Sequence, residues 1–152
     1  MKQFLRSIWL TLQSIRVLLK VYALLTCIRL GLWLLPFEKL WKLLLRLGKL
    51  RQRSNSTAID PKMYGRAAQK AIWAVNTSCK FTPGGAKCLT RALTVKVLLD
   101  RWNCPSDFKI GVIKNSADRL EAHAWIEMQG QVIIGQLSNL DRYTPMPPLP
   151  TY

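Results

Sequence analysis

The sequence predicts an α+β chain: amphipathic helices at the N-terminus, then a core in which one cysteine-bearing helix packs on a small antiparallel sheet. Three observations carry this. Up to about residue 102 apolar residues recur at helical spacing, whereas from Phe108 onward the pattern alternates with a period of two. Between these regimes lies the turn-rich Thr82-Pro83-Gly84-Gly85, which leads straight into Cys88 at the mouth of a helix.

A chain of 152 residues suffices for one domain with a modest core. Composition divides it into a basic helical segment over 1–53 and a core over 54–152. The first 53 residues hold eleven Lys or Arg and one Glu, which is +10 of the formal net charge of +15. Arg6, Arg16, Lys20, Arg29 and Glu38 interrupt the apolar run, so no charge-free stretch reaches the ~18 residues of a spanning helix. Two or three amphipathic helices are expected, roughly over 2–19, 20–34 and 37–50, with Pro36 starting a new helix or kinking the old one. They pack on the core with solvated charges, dock on a partner protein, or rest on an anionic membrane with Lys and Arg snorkelling. The four cysteines form no C-x-x-C pair and no disulfide framework, and no signal peptide with a cleavage site precedes them. A reducing cytosol, or a membrane surface facing it, is the expected compartment. The spacing of Cys79, Cys88, Cys104 and His123 matches no zinc pattern, so neither metal nor cofactor is expected.

Residues 51–60 read as a polar linker ending in Asp60, which caps a helix over 61–77 starting at Pro61. Tyr64, Ala67, Ala68, Ala71, Ile72 and Val75 form its apolar stripe. The next helix places Cys88, Ala92, Val95, Leu99 and Trp102 on one face until Asn103-Cys104-Pro105 stops it. Strands follow at Phe108–Ile113, Leu120–Met128 and Gln131–Gln136, joined by a polar connection over 115–119 and a two-residue turn at Gln129-Gly130. The proline-rich tail from Tyr143 onward should lie extended, without a ladder.

The chemical signal is Cys88 with the chain's single histidine, His123. A thiol attacks as its thiolate, which the unpaired N–H groups at a helix start favour. A lone cysteine on an apolar stripe is usually core. Cys88 differs from Cys27, Cys79 and Cys104 by its Gly-Gly lead-in at a helix start. Trp125 and Glu127 share the His123 face of their strand; the tryptophan is read as packing over the imidazole, the carboxylate as a solvated or ion-paired edge residue.

The ordered set Cys88-Leu89-x-Arg91-Ala92-Leu93, Ile110-Gly111-Val112, Ala122-His123-Ala124-Trp125-Ile126-Glu127 and Arg142-Tyr143-Thr144-Pro145-Met146 resembles the core of lasso-peptide biosynthesis B proteins. The resemblance spans roughly residues 60–147. It implies a papain-like/transglutaminase-like fold with the nucleophile helix on the sheet, and a cysteine peptidase that removes the leader from a lasso precursor. It also implies a separate leader-recognition protein and an ATP-dependent lasso cyclase as partners, because basic helices and core occupy the chain. The family commonly takes an aspartate from the strand beside the histidine, where this chain has Ile134-Gly135-Gln136. With a two-residue turn, paired residues sum to 259 and His123 faces Gln136, so Gln136 orients the ring through its amide; Asp141, from the following loop, is the alternative third member.

Two further classes remain open from the residues. An acyl-enzyme can be resolved by an amine, which would make the chain an acyltransferase or amidase. Net charge +15 with six tryptophans also suits a non-enzymatic nucleic-acid or membrane binder. Nucleic acid is not expected, because the charge lies on the N-terminal helices and no RNA- or DNA-reading motif is present.

Overall fold

A computed structural model describes residues 2–52, 63–114 and 118–149, with side chains over 13–48 in the first segment. The chain is α+β: helices α1 (Lys2–Leu34), α2 (Phe37–Gln52), α3 (Tyr64–Lys80) and α4 (Cys88–Arg101), then strands β1 (Asp107–Lys114), β2 (Leu120–Met128), β3 (Gln131–Ile134) and β4 (Thr144–Pro145). The 51–60 linker, the Asp60 cap, the 53/54 boundary and the last three residues lie largely or wholly outside the described residues.

The helices expected over 2–19 and 20–34 are one element of 33 residues. No Pro or Gly occurs before Gly31, so nothing breaks the backbone there. Val21, Leu25 and Ile28 recur at helical spacing and are at most 3% exposed. They bury one stripe of α1: Val21 and Leu25 among residues of α3, α4 and the sheet, and Ile28 with Leu40, Trp41 and Leu44 of α2 and Leu93 and Val97 of α4. On α3 the buried positions are Ala68, Ala71, Ala74, Val75 and Ser78, and such small side chains let neighbouring helices approach closely.

The cysteine helix ends as expected. Asn103 adopts a left-handed φ of 57°, and the Cys104 N–H donates to the Leu99 carbonyl at 2.9 Å. The wholly antiparallel sheet has the order β3-β2-β1-β4. Ala124, Ile126 and Met128 of β2 join Ala92, Val95 and Leu99 of α4 in the core.

Two details differ from expectation. The Gln129-Gly130 turn forms, both residues at positive φ, and Glu127 pairs with Val132. A bulge then moves Ile134 opposite Ile126 instead of Trp125, and the ladder ends there. The tail does hold a short ladder: Thr144 and Pro145 pair with Val112 and Gly111, and the Met146 N–H donates to the Ile110 carbonyl at 2.8 Å. Proline is tolerated because β4 is an edge strand.

Candidate active site

Cys88 is the first residue of α4. The turn before it needs glycine: Gly84 and Gly85 have φ of 72° and 70°, where a Cβ is strained. The Gly85 N–H donates to the Thr82 carbonyl at 3.0 Å. From α1, the Arg29 guanidinium donates to the Pro83 carbonyl at 2.6 Å, so the long N-terminal helix braces the nucleophile loop. No acidic side chain occupies the first turn of α4, which leaves the positive end of its dipole unopposed by carboxylates.

His123 stands half-buried on β2, opposite Gly111 of β1. Its Nε2 lies 2.7 Å from the Gly135 carbonyl oxygen. A carbonyl only accepts, so Nε2 carries the hydrogen, and in the neutral ring Nδ1 is the basic atom. Trp125 lies nearly parallel to the imidazole at a centroid distance of 6.3 Å, and Tyr143 tilts against it at 5.8 Å. Gly111 makes room for this stack, since a Cβ there would come within 2.8 Å of the Trp125 ring. Three of the four sequence motifs thus meet around one imidazole.

Glu127 has the structural role expected of it. One carboxylate oxygen accepts from Lys109 at 2.6 Å, the other from the Trp125 indole at 2.8 Å. These bonds, Lys109 first and Trp125 second, hold its carboxyl below the usual range.

Cys88 and His123 line one cavity of about 290 Å³ with Asn76, Arg91, Gly135 and Gln136. Among the described residues no hydrogen bond joins the thiol to the imidazole. Gln136 is exposed on the cavity wall, but the imidazole's bond goes to the backbone of the preceding residue, because the β3 bulge displaces the register by one. Asp141 sits exposed on a single 3-10 turn, Leu140–Arg142, and does not line the cavity. Another cavity, of about 550 Å³ between α2, β1 and the tail, contains neither Cys88 nor His123.

The other three cysteines do not line the cavity that Cys88 shares with His123. Burial pushes the Cys79 thiol up, opposed by the nearby Arg91 cation, and burial alone pushes up that of Cys104. Cys27 is exposed on α1. No cluster of three or more potential metal ligands exists among the described residues.

The structure adds Asn76, which the sequence did not single out, as the partner of Arg91 of the cysteine motif. Arg91 donates to the Asn76 side-chain oxygen at 2.7 Å, tying α4 to α3 one turn beyond Cys88. Asn76 follows Ile72 by four residues, and both line the cavity. That spacing on a helix flanking the nucleophile was the available signal. Thr82, in the turn before Cys88, is buried and donates to the Ser78 carbonyl at 3.1 Å.

A helix-borne cysteine and a strand-borne histidine on one cavity of an α+β core define the thiol-enzyme class of fold. The profile of the transglutaminase-like superfamily matches residues 31–147, and the chain belongs to that superfamily, whose members are typically cysteine-dependent enzymes. The match begins inside α1 and takes in all of α2. No match was found among curated proteins or solved structures.

Proposed function

We propose that the chain is a cysteine peptidase that removes the leader from a lasso-peptide precursor, acting with a separate leader-recognition protein and an ATP-dependent cyclase. The observation that carries the thiol chemistry is the shared cavity: Cys88 at the start of α4 with the single histidine, whose Nε2 is tied to Gly135. The leader substrate rests on the resemblance of the ordered motifs to lasso B proteins.

In this reading His123 Nδ1 takes the Cys88 proton as Sγ bonds to the scissile carbonyl carbon. The imidazolium returns that proton to the leaving amine as the C–N bond breaks. Water then adds to the thioester, His123 again taking and returning a proton, and the acid and free thiol separate. Gly135 fixes the ring so that Nδ1 performs both transfers.

The oxyanion needs two donors. One is the Cys88 backbone N–H at the helix start; the other is the Asn76 amide. A guanidinium has donors only, so its bond to Asn76 forces the amide oxygen toward Arg91 and leaves the amide NH2 for the cavity. Asn76→Ala is expected to lower kcat by about 10²–10³-fold with little change in KM, and to weaken a peptide aldehyde in parallel. Alkylation of Cys88 by iodoacetamide forms no oxyanion and should keep its rate. Equal loss in both assays would reduce Asn76 to a support for Arg91.

The function itself is tested by mass spectrometry of a leader-bearing lasso precursor incubated with the chain, with and without the recognition protein. The expected products are leader and core whose masses sum to the precursor plus one water, formed faster with the recognition protein. An intact precursor under both conditions refutes the peptidase, and incorporation of an added amine in place of water makes the chain an acyltransferase.

A further inference from the structure

α1 carries two apolar stripes, and the core uses only one. Val21, Leu25 and Ile28 point inward, whereas Ile15, Leu19, Leu30 and Trp33 are 46%, 63%, 51% and 82% exposed. The intervals of four, eleven and three residues between these exposed positions are all close to whole helical turns, so they form a single outward stripe. Leu34 extends it, and Phe81, 72% exposed at the end of α3, borders a shallow apolar cavity of about 310 Å³ with Ile15 and Leu19. Gln13–Leu34 is long and apolar enough to cross a membrane, although its cations break every charge-free run, and within it only Val21, Leu25 and Ile28 are buried.

Charge indicates what covers this stripe. The first 37 residues contain no Asp or Glu, and Arg16 and Lys20 are exposed to one side of the apolar positions. Large apolar side chains flanked by cations, with no acid among them, complement lipid acyl chains beneath anionic headgroups. Insertion across the bilayer conflicts with the fold: a lipid-surrounded α1 would lose the packing of Val21, Leu25 and Ile28, and the Arg29 bond to Pro83.

We propose that α1 lies in the plane of an anionic membrane surface, its outer stripe dipped below the headgroups and Arg16 and Lys20 reaching up to phosphates. The same helix then serves as membrane foot and, through Arg29, as brace for the turn before Cys88. This holds independently of the substrate assigned above.

The test is flotation of the full chain with vesicles of phosphatidylcholine alone and of phosphatidylcholine mixed with phosphatidylglycerol. Retention on the anionic vesicles, released by alkaline carbonate and by high salt, is the expected result. Joint Leu19→Glu and Leu30→Glu substitution should abolish retention, and circular dichroism should be unchanged because both side chains are exposed. Joint Arg16→Gln and Lys20→Gln should lower binding roughly tenfold or more. Failure to float, equal retention on neutral vesicles, or retention that the glutamates leave intact overturns the proposal. Carbonate-resistant retention overturns it in favour of a spanning helix. A homodimer, or a complex with the purified recognition protein, that the same glutamates dissolve in the absence of anionic-vesicle binding gives the stripe to protein instead.

Discussion

Cys88→Ala and His123→Ala should each reduce precursor cleavage by at least about 10³-fold, because nucleophile and base act as a unit and losing either removes the covalent route. Neither change should unfold the chain. Both side chains are half-buried, and deleting the thiol should cost about 1 kcal/mol. In a Cys27→Ser background, which removes the exposed competitor, iodoacetamide should label Cys88 before Cys79 or Cys104, whose burial favours the protonated thiol. Replacing Cys79 or Cys104 by Ala should leave turnover largely intact. Retained turnover in either Cys88→Ala or His123→Ala ends the assignment, whatever the labelling order.

What the sequence made legible follows from how local each signal is. The α4 start at Cys88, its stop at Asn103 and the β2–β3 turn rest on glycine, proline and asparagine chemistry that acts over a few residues, and they appear where expected. β2 runs over the expected residues, Leu120 to Met128, because apolar Leu120, Ala122, Ala124, Ile126 and Met128 recur at every second position. The break foreseen near residue 20 is absent because charge spacing punctuates composition without breaking a helix. Long-range geometry was less accessible. The β3 bulge has no local signature, yet it decides which group holds His123. The Arg91–Asn76 bond joins residues fifteen apart on different helices, a proximity that periodicity can suggest and only packing can fix. Tyr143 stood in a quoted motif, but its contact with the imidazole depends on β4 pairing with β1, which the four prolines of the tail argued against.

Gly135 should prove more sensitive than either side chain first read as the third member. It has a φ of 86°, and an added Cβ would lie 2.7 Å from the Ala124 carbonyl oxygen, 2.8 Å from Trp125 Cβ and 3.0 Å from Trp125 Cα. Two of these are backbone atoms, which cannot swing aside as a side-chain tip can. Gly135→Ala therefore shifts the end of β3 and the carbonyl that holds Nε2, besides straining the backbone by about 1–3 kcal/mol. Turnover should fall by at least about a hundredfold, because the ring loses the bond that selects its tautomer. Gln136→Ala and Asp141→Ala should stay within a few-fold of wild type, since neither side chain holds the ring. The single histidine makes the cause separable from general damage. Nitrogen-15 NMR of the neutral imidazole should show the Nε2–H tautomer in wild type, Gln136→Ala and Asp141→Ala, and a mixture in Gly135→Ala. Full turnover in Gly135→Ala, with orders of magnitude lost in Gln136→Ala, would return the third role to the glutamine amide and the unshifted register.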